Sequence, residues 1–146
     1  MSRTMRGGFV AGLVGSLVVA ALQGASDLAL GRGAFHTPGV LGLGMVGLPG
    51  VVASTGDIVR FSLVHVLVFL GVGAVLASTA DPRRGRSRFR WAAGLVFLAV
   101  FFGSATMAEA WDPYHQALPT WSIVMCNLVA LTVMGWFLRP RAPAMD

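Results

Sequence analysis

The sequence predicts an all-α integral membrane protein, a four-helix transmembrane bundle that forms a single domain over residues 1–146. One observation is that four stretches are apolar for about 20 residues, which matches a hydrocarbon layer of ~30 Å. A second is composition: 55% of the residues are hydrophobic and 12% are charged, which is too apolar for an ordinary soluble domain. A third is the position of the arginines, which gather at one side of the membrane once four crossings are assumed.

The four predicted crossings lie at residues of about 8–30, 57–78, 90–110 and 120–138. Four prolines fall outside these spans, where a missing amide donor does no harm; they are Pro82, Pro113, Pro119 and Pro140. We expect the first apolar run to be a retained helix and not a cleaved secretory signal, because it is long for a signal.

Residues 37–55 are apolar, but Pro49 and several glycines interrupt them, and no uninterrupted part is long enough to span a bilayer. A fifth crossing here would also place the arginine-rich loop that follows outside the cell, against the usual distribution of positive charge. We therefore predict a short re-entrant or interfacial segment on the outer side, between the first and second crossings, with one short helix near residues 40–48.

All eleven basic residues are arginines. With four crossings, only Arg32 and Arg60 fall on the outer side. The inner segments carry the others: Arg3, Arg6, Arg83, Arg84, Arg86, Arg88, Arg90, Arg139 and Arg141. This distribution predicts a multi-pass protein of the cell (inner) membrane with both termini in the cytoplasm. The loop with Arg83, Arg84, Arg86, Arg88 and Arg90 sets that orientation and can also attract anionic lipid or an acidic partner.

The net charge of +5 does not predict a nucleic-acid partner, because the arginines lie in short segments beside apolar spans. Gly8, Gly12 and Gly15 share one face of the first helix and are expected to be packing positions. Their partner helix belongs either to this chain or to another subunit.

Five polar residues are predicted to share the outer third of the bundle and form a candidate binding cluster: Asp27, Arg60, His65, Glu109 and Asn127. In one interpretation they satisfy each other, with Arg60 paired to Asp27 or Glu109 and His65 bonded to Asn127. In the other interpretation they form a site for a solute, a quinone or a proton.

His65 is the sharpest single candidate because Phe61 and Phe69 lie one helical turn on either side of it. A neutral imidazole can ligate haem iron or the magnesium of a chlorophyll-type pigment, although a packing role is the simpler alternative. No catalytic motif and no metal site with a diagnostic spacing occurs in the sequence, so an enzyme is not expected.

These features favour a non-catalytic accessory subunit of a larger membrane complex, such as a respiratory or photosynthetic one, with the bilayer and other membrane subunits as partners. One alternative is a small homo-oligomeric transporter or channel that uses the polar cluster. The other is a haem- or pigment-binding protein that uses His65.

Overall fold

The computed structural model describes residues 3–46, 52–79, 94–95 and 120–138, and all regular structure within these ranges is helical. The main elements are α1 (Arg3–Ala29), α2 (His36–Gly44), α3 (Thr55–Thr79) and α4 (Thr120–Phe137). The all-α prediction is therefore confirmed for this part of the chain. Apart from residues 94–95, the predicted crossing at 90–110 lies outside the described residues.

Two of the described helices, α1 and α3, are long and apolar enough to cross a membrane. In the most apolar 18-residue stretch of α1 only 33% is buried inside the protein, and in that of α3 only 17%. Many apolar side chains on both helices therefore face outward. The apolar part of α4, Val124–Phe137, is shorter. The described part of the chain is thus compatible with a membrane helical protein.

The C-terminal end of α1 is a turn that needs a glycine. Gly31 adopts a left-handed backbone with a φ of +71°. Its amide bonds to the carbonyl of Leu28 at 3.0 Å, and the amide of Arg32 bonds to the carbonyl of Asp27 at 2.8 Å. This pair of bonds is a Schellman motif, in which free carbonyls of the last helical turn accept hydrogen bonds and the chain reverses direction.

After this reversal the chain forms α2, which begins and ends earlier than the short helix predicted near residues 40–48. Pro38 is compatible with this start because it lies in the first turn, where its missing amide donor is not needed. The helix ends before the glycine and proline of the following residues. At its end the amides of Met45 and Val46 bond back to Leu41 and Leu43.

The contact between α1 and α3 is a close approach of two backbones, which we name the glycine seam: Gly8 and Gly12 on α1 and Gly73 on α3. A Cβ atom on Gly8 would lie 2.7 Å from the carbonyl oxygen of Gly73 and 2.7 Å from the Cβ of Ala77. A Cβ on Gly12 would overlap the carbonyl of Phe69, and one on Gly73 would overlap that of Gly8. Since no side chain separates the helices, main-chain atoms pack directly on each other.

The contact between α1 and α4 involves larger side chains. Gly15 faces Met134, whose sulfur would lie 2.6 Å from a Cβ at that position. Met134 is buried with Ala11 and Leu76 in one apolar cluster, and Val19 packs with Cys126 in a second. Gly8 and Gly12 therefore face α3, whereas Gly15 faces α4, and all three predicted packing glycines lie against helices of the same chain.

These contacts also give the directions of the helices. Along α1 from Gly8 to Gly12, the facing residues on α3 run backwards from Ala77 to Phe69. Along α1 from Gly15 to Val19, the facing residues on α4 run backwards from Met134 to Cys126. Both α3 and α4 are therefore antiparallel to α1, and the N-terminal end of α1 lies beside the C-terminal ends of the other two.

Candidate functional site

Asp27 lies at the far end of α1 and is 2% exposed. One carboxylate oxygen accepts a hydrogen bond from the amide of Thr37 at 2.8 Å, and the other accepts one from the hydroxyl of Thr37, also at 2.8 Å. Thr37 lies in the first turn of α2, whose own N-cap residue, Phe35, supplies no side-chain bond. Asp27 therefore caps α2 from a different helix.

Ser54 and Asp57 cap the start of α3. The Ser54 hydroxyl accepts a hydrogen bond from the Asp57 amide at 3.3 Å, and the Asp57 carboxylate accepts one from the Ser54 amide at 2.9 Å. The Ser54 hydroxyl also donates to the same carboxylate at 2.6 Å. This reciprocal arrangement is a capping box, which satisfies donors that the first helical turn leaves open. The Ser-x-x-Asp spacing before an apolar run is visible in the sequence. Ser54 and Asp57 were nevertheless not among the candidate site residues predicted from it.

Arg60 pairs with Asp57, one turn away on the same helix, at 2.8 Å. The predicted pairing of Arg60 with Asp27 is wrong, because the carboxylate of Asp27 is directed at Thr37. Glu109, the other predicted partner, lies outside the described residues. The guanidinium also donates to the carbonyl of Gly42 at 3.5 Å, near the C-terminal end of α2.

The two ends of α2 thus meet opposite charges, Asp27 at the N-terminal end and Arg60 at the C-terminal end. This order matches the helix dipole, which is positive at the first turn and negative at the last. Gly42 packs so closely on α3 that a Cβ there would overlap the main chain of Asp57. We call these groups the polar anchor; it comprises Asp27, Thr37, Ser54, Asp57 and Arg60.

His65 lies deeper along α3, between two aromatic rings. The centroid of its imidazole is 5.6 Å from that of Phe61 and 4.8 Å from that of Phe69. The main chain of Ser16, on α1, lies near the imidazole. Its Nε2 atom is buried and has no hydrogen-bond partner among the described residues. Nε2 therefore does not bond to Asn127 as predicted, and Asn127 has a partner of its own.

Among the described residues, α1 and α4 carry further buried polar groups. Ser16 and Ser122 are both almost completely buried. The side-chain amide of Gln23 on α1 donates to the sulfur of Cys126 on α4 at 3.9 Å. These groups are small or neutral, so two apolar helices can bury them at low cost.

The predicted five-residue cluster is therefore not assembled by the described contacts. Asp27 and Arg60 belong to the polar anchor, on opposite ends of α2, and His65 lies apart from them between its two phenylalanines. Within residues 3–46, 52–79 and 120–138, no group of three potential ligands from His, Cys, Asp and Glu could hold a metal ion. The arginine-rich loop of Arg83, Arg84, Arg86, Arg88 and Arg90 lies outside the described residues.

Comparison of the chain with protein-family models, with curated proteins and with solved structures finds no match.

Proposed function

We propose that the protein is a four-span integral membrane protein that acts as a non-catalytic accessory subunit of a larger membrane complex. The observation that carries this proposal is how the chain uses its charged groups in the outer part of the bundle. Asp27, Asp57 and Arg60 all bond to helix ends of the chain itself. Such groups stabilise a scaffold and are not arranged around a shared solute.

The directions of the helices support four crossings. Because α3 and α4 are both antiparallel to α1, the C-terminal end of α3 and the N-terminal end of α4 lie at opposite ends of the bundle. Residues 80–119 therefore join opposite ends, as the proposed third crossing requires. Both termini and the 80–90 loop then lie on the same side.

The arginines support the proposed orientation. The end of the bundle where α1 begins carries Arg6, and the chain continues from the same end into the 80–90 loop and into residues 139–141. Nine of the eleven arginines, all except Arg32 and Arg60, lie in these three segments. By the positive-inside tendency, this end faces the cytoplasm of a cell inner membrane.

The outward faces of the helices support a role within an assembly. Large apolar side chains are exposed along α1, α3 and α4; examples are Leu13, Leu17, Leu63, Leu67, Met125, Leu128 and Trp136. Contiguous apolar surface of this kind is covered by lipid or by helices of other subunits. An energy-transducing complex, respiratory or photosynthetic, is one in which such small subunits pack.

The test is extraction of the protein from its native membrane in mild detergent, with the protein mass of the particle measured by light scattering. We expect a particle of fixed stoichiometry that contains other polypeptides. Three separate variants, Leu17→Trp, Leu67→Trp and Leu128→Trp, enlarge a side chain on the outward face of α1, α3 and α4, respectively. The variant on the face that contacts the other polypeptides should release them while the helical content is retained. A monomer in the native extract would contradict the proposal. So would a complex whose composition none of the three variants changes.

A second candidate function is cofactor binding at His65, which the unpartnered Nε2 specifically favours. Haem iron or the magnesium of a chlorophyll-type pigment would coordinate this nitrogen in the neutral form of the imidazole. The test is the absorbance spectrum of the protein purified from its own membrane. A visible band that disappears in His65→Ala and persists in Phe61→Leu supports ligation, and a chain without visible absorbance excludes it.

The homo-oligomeric transporter receives less support from these contacts, because Asp27 and Arg60 bond to different ends of α2. Under that alternative, Asp27→Asn or His65→Ala abolishes solute flux in proteoliposomes while the bundle stays folded. Flux equal to that of the parent protein eliminates it.

A further inference from the structure

We propose that α2 is a re-entrant element embedded in the membrane, with lipid acyl chains as the partner of the exposed apolar residues around it. This inference rests on the proposed function, because it requires α1 and α3 to cross the bilayer. It decides between the two placements that the sequence leaves open, a helix that lies on the membrane in water and one that lies within the hydrocarbon.

The first argument is that the polar groups at the ends of α2 are satisfied from inside the protein. Free amides and carbonyls at a helix end ordinarily bond to water, which hydrocarbon does not supply. Here the amide of Thr37 bonds to Asp27, and the carbonyl of Gly42 receives Arg60. The amides of Met45 and Val46 bond back into the last turn. These bonds satisfy most of the end groups of α2, as a helix that ends inside a bilayer requires.

The second argument is the character of the exposed surface around α2. Phe35, just before the helix, is 67% exposed, and Val52, after it, is 90% exposed. Leu30, Met45 and Val46 are exposed as well. At the end of a bundle in water, such positions would ordinarily carry polar side chains.

The third argument is charge. From Gly33 to Gly56 the sequence contains no aspartate, glutamate, lysine or arginine. Two charged groups that bond to α2, Asp27 and Arg60, approach it from α1 and α3 and lie at its two ends. An interfacial helix ordinarily carries a charged face toward water, and α2 has none.

The apolar surface around α2 is continuous with exposed apolar residues of the spanning helices. Leu28 on α1 and Val59 on α3, near the same end of the bundle, are both exposed. Acyl chains that cover these residues would also reach Phe35 and Val52. The side chain of Arg60, which is 43% exposed, would then extend from α3 toward the headgroups. Lipid is the occupant that fits a surface of this chemistry and continuity.

The experiment places an environment-sensitive fluorophore at single cysteines, which the chain permits because Cys126 is its only native cysteine. In a Cys126→Ser background, the probe sites are Met45→Cys and Val52→Cys. Leu67→Cys, on the outward face of α3, is the lipid control, and Thr4→Cys, at the exposed start of α1, is the water control. The labelled proteins are placed in nanodiscs of phosphatidylcholine with or without nitroxide-labelled chains, and iodide serves as the aqueous quencher.

We expect the probes at Met45 and Val52 to behave like the probe at Leu67, with blue-shifted emission, strong loss of fluorescence with nitroxide lipid and little loss with iodide. Quenching by iodide as strong as at Thr4, with Leu67 still quenched by lipid, overturns the re-entrant placement alone. Quenching of Leu67 by iodide overturns the membrane span itself. Probes at Met45 and Val52 that neither quencher reaches would show a protein surface as the occupant and also overturn the inference.

Discussion

The two ends of the described bundle are held together by different means. At the end where α1 begins, the glycine seam brings main-chain atoms of α1 and α3 into direct contact without charged groups. At the other end, the polar anchor joins α1, α2 and α3 through hydrogen bonds to two carboxylates and one guanidinium. Close packing thus holds the long helices together, whereas charged groups are used where a short helix must be attached.

The largest effect is expected at the glycine seam. Gly12→Leu forces a side chain into the main chain of Phe69 and Leu70, so α1 and α3 must separate. Overpacking costs about 1–3 kcal/mol, and a site that faces backbone belongs at the upper end. The measurement is unfolding in detergent by circular dichroism.

The matched control for the glycine seam is Gly71→Leu, two residues from Gly73 on the same helix, where a Cβ meets nothing within 4 Å. We expect its stability to equal or slightly exceed that of the parent, because leucine favours helix over glycine. Equal losses in the two variants would contradict the direct contact between α1 and α3.

The next largest effect is expected at Asp27. Asp27→Ala leaves the buried amide and hydroxyl of Thr37 without their acceptor, and a hydrogen bond to a charged group contributes about 1.5–3 kcal/mol. Amide hydrogen exchange should increase in α2 first, because the bond caps that helix. Asp27→Asn keeps one acceptor oxygen and should retain part of the protection. An equal increase in amide exchange in α1 and α2 of the alanine variant would contradict a capping role.

A smaller effect is expected at the capping box. Ser54→Ala removes the hydroxyl partner of the Asp57 amide and carboxylate, and loss of an N-cap costs about 1 kcal/mol. Ser54→Thr keeps the hydroxyl and should restore most of the stability. If threonine were no better than alanine in the melting curve, the hydroxyl would not be the stabilising group.

The smallest effect is expected at Arg60, whose side chain is 43% exposed. Ion pairs of this exposure contribute about 0–1 kcal/mol and weaken with salt. Arg60→Gln should therefore change the melting temperature little, and the difference from the parent should shrink further at high salt. A loss as large as that of Asp27→Ala would show that Arg60 is held in a drier environment than its exposure indicates.

Much of the scaffold could be predicted from the sequence, because length and apolar character suffice to place α1 and α3. The spacing of Gly8, Gly12 and Gly15 also predicts a shared packing face. It does not tell which helix fills that face, since this depends on rotation about the helix axes. Gly15 accordingly lies closest to Met134 of α4, with the ring of Phe69 from α3 also nearby.

The partners of the charged residues were harder to predict, for a physical reason. Depth in the membrane places Asp27 and Arg60 near each other in height but leaves the direction of each side chain undetermined. The partner of Asp27 is Thr37, which comes into reach only because Gly31 reverses the chain. The partner of Arg60 is Asp57, one turn earlier, a local spacing that the sequence does display.

In the proposed topology α1 crosses the membrane, with its first residues on the cytoplasmic side and the α2 region facing the opposite leaflet. The most direct measurement is labelling of Thr4→Cys and Gly33→Cys, each in a Cys126→Ser background, by a membrane-impermeant maleimide. Inside-out and right-side-out vesicles are compared, and both positions are exposed. We expect Thr4→Cys to react only in inside-out vesicles and any reaction of Gly33→Cys to occur only in right-side-out vesicles. Reaction of both positions from the same side would contradict this topology.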